Sequence, residues 1–498
     1  MKIPDKIKGI LSDLQKSGFQ AFIVGGCVRD FLLEKEPQDW DITTDATPQE
    51  IQKIFPDSFY ENDFGTVSVK IRNQSPTSES SGEVIDCVEI TPFRLESSYS
   101  DNRHPDVVKW GKNIEEDLSR RDFSINGIAI QIKESSKAKK EEIEIIDSFN
   151  GRKDIENKVI RAIGDPQERF REDALRLMRA VRFSTVLQFK IEPKTKKAII
   201  ENAKLLKNIS QERIRDELVK IMQSDHAHDG IEMLRELGLL EYIIPELLEG
   251  FGVGQNKHHK FEIYEHNLKT LEYSTKKKFG FDVKMASLLH DVAKPKTKQG
   301  NGLNSTFYNH EIVGAKMTRN ILTRLKFSKK DIDRISLLVR YHLFYYNVGE
   351  VTEASIRRLI KNVGLENVDD LINLRMADRI GSGCPKAEPY KLRHLKYLIA
   401  RVSQDPISAK MIKINGNDLI SLLNIPPSKK IGNILEILLA DVLNNPKLND
   451  KKILQDMATS LSGLREEELE KRATKARQEI EKVETKRDTM AKEKYWVS

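Results

Sequence analysis

Between Ile23 and Thr43 the chain passes from an apolar run through two glycines to an arginine and then to a pair of carboxylates, and no other stretch restricts the fold as tightly. Residues 19–24 read as a strand whose apolar run, 21–24, stops at Gly25-Gly26, and Arg29-Asp30 opens a short predicted helix over residues 29–33. Glycines let a backbone approach an anionic ligand closely, and a helix start offers unpaired N–H groups to phosphate. A strand is predicted over residues 40–43, and Asp39 and Asp41 stand at i and i+2, a spacing that on a strand directs both carboxylates to one face. Two carboxylates aimed at one point repel unless a cation lies between them, and Mg²⁺ is held by one or two carboxylates together with substrate phosphates. Taken alone, Gly-Gly is a turn and Asp-x-Asp a solvated turn. Together, with Arg29 between them, they point to metal-assisted phosphoryl transfer from a nucleotide.

The surrounding residues supply a sheet for this stretch. Residues 3–17 place Ile3, Ile7, Ile10, Leu11 and Leu14 at helical spacing, with Gly18 as the stop. Residues 48–55 read as another helix, and residues 65–71 and 84–90 as paired strands joined by a Ser-, Pro- and Gly-rich hairpin tip over 73–83. Asp86 and Glu89 differ by three positions and so face opposite ways on a strand; Glu89, near the strand end, is the candidate third carboxylate. Residues 96–106 form a polar loop carrying Tyr99, Arg103, His104 and Asp106. Beyond it, Arg120-Arg121-Asp122-Phe-Ser-Ile-Asn126 offers Arg121 for triphosphate oxygens and Asp122 and Asn126 for a ribose or for support of the metal site. A charged hairpin over 133–142 and a strand over 143–147 close this α+β region, and Asn150-Gly151 is a turn.

The second informative segment runs from Asp165 to Phe183. Ala174, Met178 and Val181 fall on one core-facing stripe of a helix, while Asp173, Arg176, Arg179 and Arg182 recur every three residues as a polar ridge on the same helix. A solvated ion-pair face is the bland reading of such a ridge. An Asp beside an Arg at i+3, however, presents acceptors and donors together, as a base edge requires, and the remaining arginines suit phosphates.

These motifs, in this order, resemble the class II nucleotidyltransferases: the bacterial CCA-adding enzymes and their poly(A) polymerase relatives. Gly25-Gly26-Cys-Val-Arg29-Asp30 with Asp39-Trp-Asp41 resembles the family's catalytic motif, Arg120 to Asn126 its ribose-binding motif, and Glu172-Asp173-Ala-Leu-Arg176 the amino-acid template that pairs with CTP and ATP. Residues 209–218 resemble the next family helix, and Gly127 stands where the family commonly has Ala. The resemblance spans about residues 15–220. It implies Mg²⁺ at Asp39 and Asp41, and nucleotide contacts by Gly25, Gly26, Arg29, Arg121, Asp122, Asn126, Asp173, Arg176, Arg179 and Arg182. The implied activity is template-independent addition of C, C and A to tRNA from CTP and ATP. Poly(A) addition and partial CC or A addition are the alternatives within this chemistry; the loop at Arg103-His104 resembles one found in enzymes that add the terminal A.

Residues 223–390 carry a different set. His266, His290-Asp291 and Asp378 lie in a helical pattern, with His310 and His342 between. Adjacent His-Asp with further ligands from other helices suits a divalent metal. The order resembles the HD phosphohydrolase superfamily, which implies His266, His290, Asp291 and Asp378 as ligands of a second divalent metal, with His310 and His342 binding phosphate or another ion. Phosphohydrolysis is therefore an alternative activity of another class. His226, His228, His258 and His259 read as surface residues.

The expected architecture is multidomain α+β: a nucleotidyltransferase head with a mixed sheet over 1–150, an all-α neck over 151–222, an HD body over 223–390 and a helical tail over 391–498. Breaks fall at Asp405-Pro406, Pro426-Pro427 and Asn444–Pro446, and residues 464–494, nearly all Glu, Lys, Arg and Ala, suit a solvated helix, a short coiled coil or an RNA-touching tail. A net charge of +7 permits an RNA partner without demanding one. Three distant cysteines (Cys27, Cys87, Cys384) form neither a disulfide framework nor a zinc site, so a reducing cytoplasm is expected, with no membrane segment. Oligomeric state is not readable from the chain.

Overall fold

The computed structural model of the protein describes residues 2–37, 39–60, 65–72, 84–97, 107–134, 141–256, 260–403 and 411–497. The hairpin tip at 73–83, most of the loop at 96–106, His258, His259 and Asp405-Pro406 lie outside them.

The head is built on nine strands: β1 (Ala21–Val24), β2 (Asp41–Thr44), β3 (Ser58–Tyr60), β4 (Val67–Arg72), β5 (Val84–Pro92), β6 (Arg94–Ser97), β7 (Val107–Trp110), β8 (Ala129–Glu134) and β9 (Glu141–Ile146). Seven form one mixed sheet in the order β3-β4-β5-β2-β1-β8-β9. Only the β2–β5 pair is parallel; the other ladders are antiparallel. All four residues of β1 are buried, so this short apolar strand has no face to give to water and is covered on both sides by the sheet's packing. Strands β6 and β7 form a separate two-stranded ribbon, which takes in residues 96 and 97 of the expected polar loop.

Two of the boundaries that differ from expectation bear on the site. The first helix after β1 spans Gly26–Leu32, because Gly25, at φ 83°, turns the chain out of the sheet and the helix starts at once. For the same reason Asp39 is not in a strand. Val24 pairs with Asp41 as the last rung of the β1–β2 ladder; before Asp41 there is no β1 residue left to pair with, and Asp39 sits at the bend just ahead of the strand.

The ridge is not on a single helix either. One helix spans Pro166–Glu172 and a second Leu175–Leu187. Asp173 sits between them in extended conformation (φ −136°, ψ 103°). Its carboxylate accepts the backbone N–H of Leu175 at 3.1 Å, the local competition by which Asp interrupts a helix. Ala174, Met178 and Val181 are completely buried, as their spacing predicts.

The remaining described chain is helical apart from turns and one short parallel ribbon, Val159–Ile160 with Lys190–Ile191, so the neck expected to be all-α carries a pair of strands. By packing it falls into two compact units, Met1–His342 with Asn373–Cys384, and Leu343–Ile372 with Pro385–Ser498. Within the second, the charged helix Glu466–Tyr495 buries Leu469, Ala473 and Ala476 in a cluster with Ile434, Leu438 and Leu454. A small-residue stripe thus seats an otherwise solvated helix. Pro426-Pro427 falls between the helices Gly416–Leu423 and Lys429–Asn444, as expected for a break. Among the described residues no helix is long and apolar enough to cross a membrane.

Candidate active site and metal centre

One cavity of about 560 Å³ collects residues that lie far apart in sequence: Gly25, Gly26, Asp39 and Asp41 from the head stretch, Arg121 and Asn126, and Asp173 and Arg176 from the helix break. Arg29, Asp122, Arg179 and Arg182 line it too.

At its acidic end a methyl group on Gly25 would sit 3.1 Å from Arg121 Nη1 and 3.2 Å from Asp41 Oδ2. The glycine therefore serves both the positive φ and the close approach. Burial raises the Asp41 pKa, Arg121 lowers it, and the charge of Asp39 raises it again. A carboxylate whose ionisation is opposed by burial and by a second carboxylate in the same cavity fits a divalent cation, whose charge would reverse that opposition. Glu89 stands on β5 directly opposite Asp41 of β2 and is exposed; the two share a register position in a parallel ladder. Cys27, inside the same motif, is buried with its thiol donating to the Val24 carbonyl, and burial pushes its pKa up to about 12, so it is a packing residue rather than a nucleophile.

The arginines are held by carboxylates. Asp117, fully buried, accepts Arg120 at 2.6 Å on Oδ1 and Arg121 at 3.2 Å on Oδ2. Arg29 donates to Asn126 Oδ1 at 2.9 Å. Asn126 in turn donates to Asp122 Oδ1 at 3.1 Å, and Arg179 grips Asp122 Oδ2 at 2.6 Å. Burial works to raise the Asp122 carboxyl, yet Arg179 and Asn126 outweigh it and hold it at about 2. Arg182 donates to Glu217 at 2.5 Å and stacks 3.9 Å from the centroid of Phe183. Arg176 is braced by Glu172 at 2.7 Å and by the carbonyl of Arg120 at 2.9 Å. Every ridge residue is thus paired inside a cavity, which removes the solvated-face reading. Sequence reasoning missed Asp117, Phe183, the hold of Arg213 on the Asp173 carboxylate and the hold of Glu217 on Arg182. Only Asp117, at i+3 and i+4 from Arg120 and Arg121, left a local signal. At Gly127 an added Cβ would lie 2.6 Å from Ile163 Cδ1, the end of a side chain that would have to shift to admit it.

A second cluster gathers the histidines. His266 lies within the helix Ile263–Lys276, His290 and Asp291 follow Phe281–Leu289, His310 begins His310–Arg324, His342 follows Lys329–Tyr341, and Asp378 lies in Leu365–Gly381. All six are buried. They form two groups of potential ligand atoms, His266, His290 and Asp378, and Asp291, His310 and His342. Asp291 touches both groups: its Oδ2 lies 3.2 Å from His266 Nε2 and 3.3 Å from His290 Nε2, and its Oδ1 lies 3.4 Å from His310 Nε2 and 3.7 Å from His342 Nε2. The Nδ1 atoms of His290, His310 and His342 meet the carbonyls of Ser287, Phe307 and Val339 at 2.9, 2.6 and 2.7 Å. A carbonyl only accepts, so each Nδ1 carries the proton and each Nε2 turns a lone pair inward. Asp291 Oδ1 is buried without a hydrogen-bond donor. Converging lone pairs with an orphaned carboxylate oxygen fit divalent cations. His226 and His228 instead pair with Asp229 nearer the surface.

Fold and cavity define a template-free nucleotidyltransferase. Family descriptions match in sequence along the chain: "Poly A polymerase head domain" over residues 21–161, "Probable RNA and SrmB- binding site of polymerase A" over 188–250, and "tRNA nucleotidyltransferase domain 2 putative" over 307–458. The CCA-adding enzyme of Ligilactobacillus salivarius is 33% identical over 92% of this chain and 98% of its own length. That of Lactobacillus helveticus is 43% identical over 48% of this chain, and the match spans 56% of that relative. The crystal structure of the Bacillus stearothermophilus CCA-adding enzyme in complex with CTP superposes with a TM-score of 0.56 at 27% identity, covering 92% of this chain and 98% of that one. The Thermotoga maritima CCA-adding enzyme complexed with tRNA_CCA shares the fold, with a TM-score of 0.50 at 20% identity over 92% and 96% of the two chains. The chain belongs to the CCA-adding enzyme family, whose nucleotidyltransferase chemistry normally uses a divalent metal.

Proposed function

We propose that the head cavity adds C, C and A to the 3′ end of tRNA from CTP and ATP, releasing pyrophosphate, in the reducing cytoplasm that three cysteines far apart in sequence suit. The observation that carries this reading is the single cavity holding both Asp39-x-Asp41 and Asp173 with Arg176. Asp39 and Asp41, with Glu89 beside them, would hold Mg²⁺. When bound, the ion supplies a more acidic RNA 3′-hydroxyl and charge compensation on the triphosphate. Arg29 and Arg121 meet the transferring phosphates, aimed by Asn126 and Asp117. Gly25 and Gly26 give the phosphates room. Asp122 and Asn126 face the ribose, Arg179 and Arg182 wall the nucleotide site, and Asp173 and Arg176 read the base edge. The match over 188–250 supports an RNA contact in the helical region. Extension of tRNA lacking its 3′ end, with CTP and ATP supplied separately and together, tests the reading: CCA is expected only with both nucleotides, and an unlimited A tail would transfer the chain to poly(A) addition.

The buried histidine cluster favours a second activity beside the first, metal-dependent phosphohydrolysis. Its support is Asp291 with one oxygen toward each ligand triad, an arrangement suited to two ions. His290→Ala is expected to abolish release of phosphate from nucleotide or RNA-end phosphoesters while sparing CCA addition, and Asp41→Asn to do the reverse. Loss of both activities in either variant would defeat the division.

A further inference from the structure

Asp173, at the break between Pro166–Glu172 and Leu175–Leu187, is met by a residue outside its own motif. Arg213, from the helix Gln211–Gln223, donates to it through both terminal nitrogens, Nη1 to Oδ1 at 3.2 Å and Nη2 to Oδ2 at 2.9 Å. Oδ1 also accepts the Leu175 N–H at 3.1 Å. A carboxylate offers about four acceptor positions, two on each oxygen. Three are therefore taken, and one, on Oδ2, is left. Both side chains line the cavity that holds Asp39 and Asp41.

A planar guanidinium bound across both oxygens fixes the plane of the carboxylate as well as its place, which a point charge does not. The one remaining position is an acceptor. Cytosine and adenine carry an exocyclic amine, a donor, where uracil and guanine carry a carbonyl oxygen, an acceptor. An aimed single acceptor therefore admits C and A and sets oxygen against oxygen for U and G. Freed of Arg213, the carboxylate would turn about its side-chain bonds, offer acceptors in several directions and find a partner in neighbouring Arg176.

We propose that Arg213 is a specificity-determining positioning residue: it clamps Asp173 so that one lone pair remains for the base, and thereby sets the preference for bases that carry an amine where uracil and guanine carry a carbonyl oxygen. This rests on the reading that Asp173 faces the base. Glu217, on the same helix, does the equivalent for Arg182 at 2.5 Å, so this helix orients the ridge from behind at two points.

The test is incorporation by the full-length protein on tRNA lacking its 3′ end, read as the ratio of kcat/KM for CTP over UTP and for ATP over GTP. Arg213→Met is expected to reduce both ratios by at least about tenfold, within the range that one base-edge contact discriminates, while thermal unfolding and tRNA affinity stay near those of the parent. Arg213→Lys keeps the charge without the fork and is expected to recover extension with CTP but not the discrimination. Asp173→Ala is the control for the underlying reading. If Asp173→Ala keeps the parental ratios, base selection by Asp173 itself is wrong. If it loses them while Arg213→Met or Arg213→Lys keeps them, the clamp alone is wrong. Should Arg213→Met fail to fold, the Lys variant decides: discrimination equal to the parent's overturns the proposal.

Discussion

At the scale of single residues, the cavity is governed by which carboxylate holds which arginine. Asp122 is the clearest case, buried and gripped by Arg179 and Asn126. Its folded pKa of about 2 lies below the ordinary value of 3.8. A depressed carboxylate contributes stability that is fully present above the ordinary value and is lost as pH falls through the folded one. Asp122→Asn is therefore expected to cost roughly 2 kcal/mol near neutral pH. The gap to the parent should narrow as pH falls from about 4 toward 2, and urea unfolding at several pH values reads it. A gap independent of pH would mean that the carboxylate is not held by charge. Such pairs also mark where sequence reading stops. Arg120 and Arg121 could be matched to Asp117 because they follow within one helical turn. Arg213 with Asp173 and Arg182 with Glu217 join residues 40 and 35 positions apart, and nothing local encodes those pairings.

At the scale of elements, the turn from β1 into the helix Gly26–Leu32 decides the acidic end of the cavity. Its glycine is required twice, by φ 83° and by the space beside Arg121 and Asp41. Gly25→Ala should cost about 1–3 kcal/mol of stability, the penalty for a side chain at φ 83°, ψ −141°, a backbone conformation that favours glycine. Displacement of reacting groups by about 1 Å commonly costs 10²-fold in rate, so incorporation of CTP should fall by about that factor. Differential scanning calorimetry beside single-turnover kinetics separates the two effects; a large stability loss with proportionate activity would contradict the assignment. The turn was legible because Gly-Gly before a charged pair has few structural uses. The break at Asp173 was not, because the i, i+3 repeat of Asp173, Arg176, Arg179 and Arg182 continues smoothly across it. Only the Leu175 N–H captured by the Asp173 carboxylate shows why the helix stops.

At the scale of the whole molecule, the two clusters are chemically independent: one mixes carboxylates with arginines, the other carboxylates with histidines. The histidine set was readable because His-Asp adjacency among apolar helices has little other use, whereas the reach of Asp291 from its own triad to His266 joins separate helices and has no local signal. Ions bound only to the folded state raise its stability by mass action. Chelation should therefore lower the melting temperature of the parent by several degrees, while His290→Ala, already short of a ligand, should respond little. Elemental analysis of the purified chain should show the corresponding loss of divalent metal. An unchanged melting temperature and metal content would leave the inward lone pairs without an occupant. Asp291 has a particular consequence here. Because one side chain is common to both halves, the pair has no graded failure: substitutions at His310 or His342 would cripple one partner alone, whereas a change at Asp291 would extinguish both together.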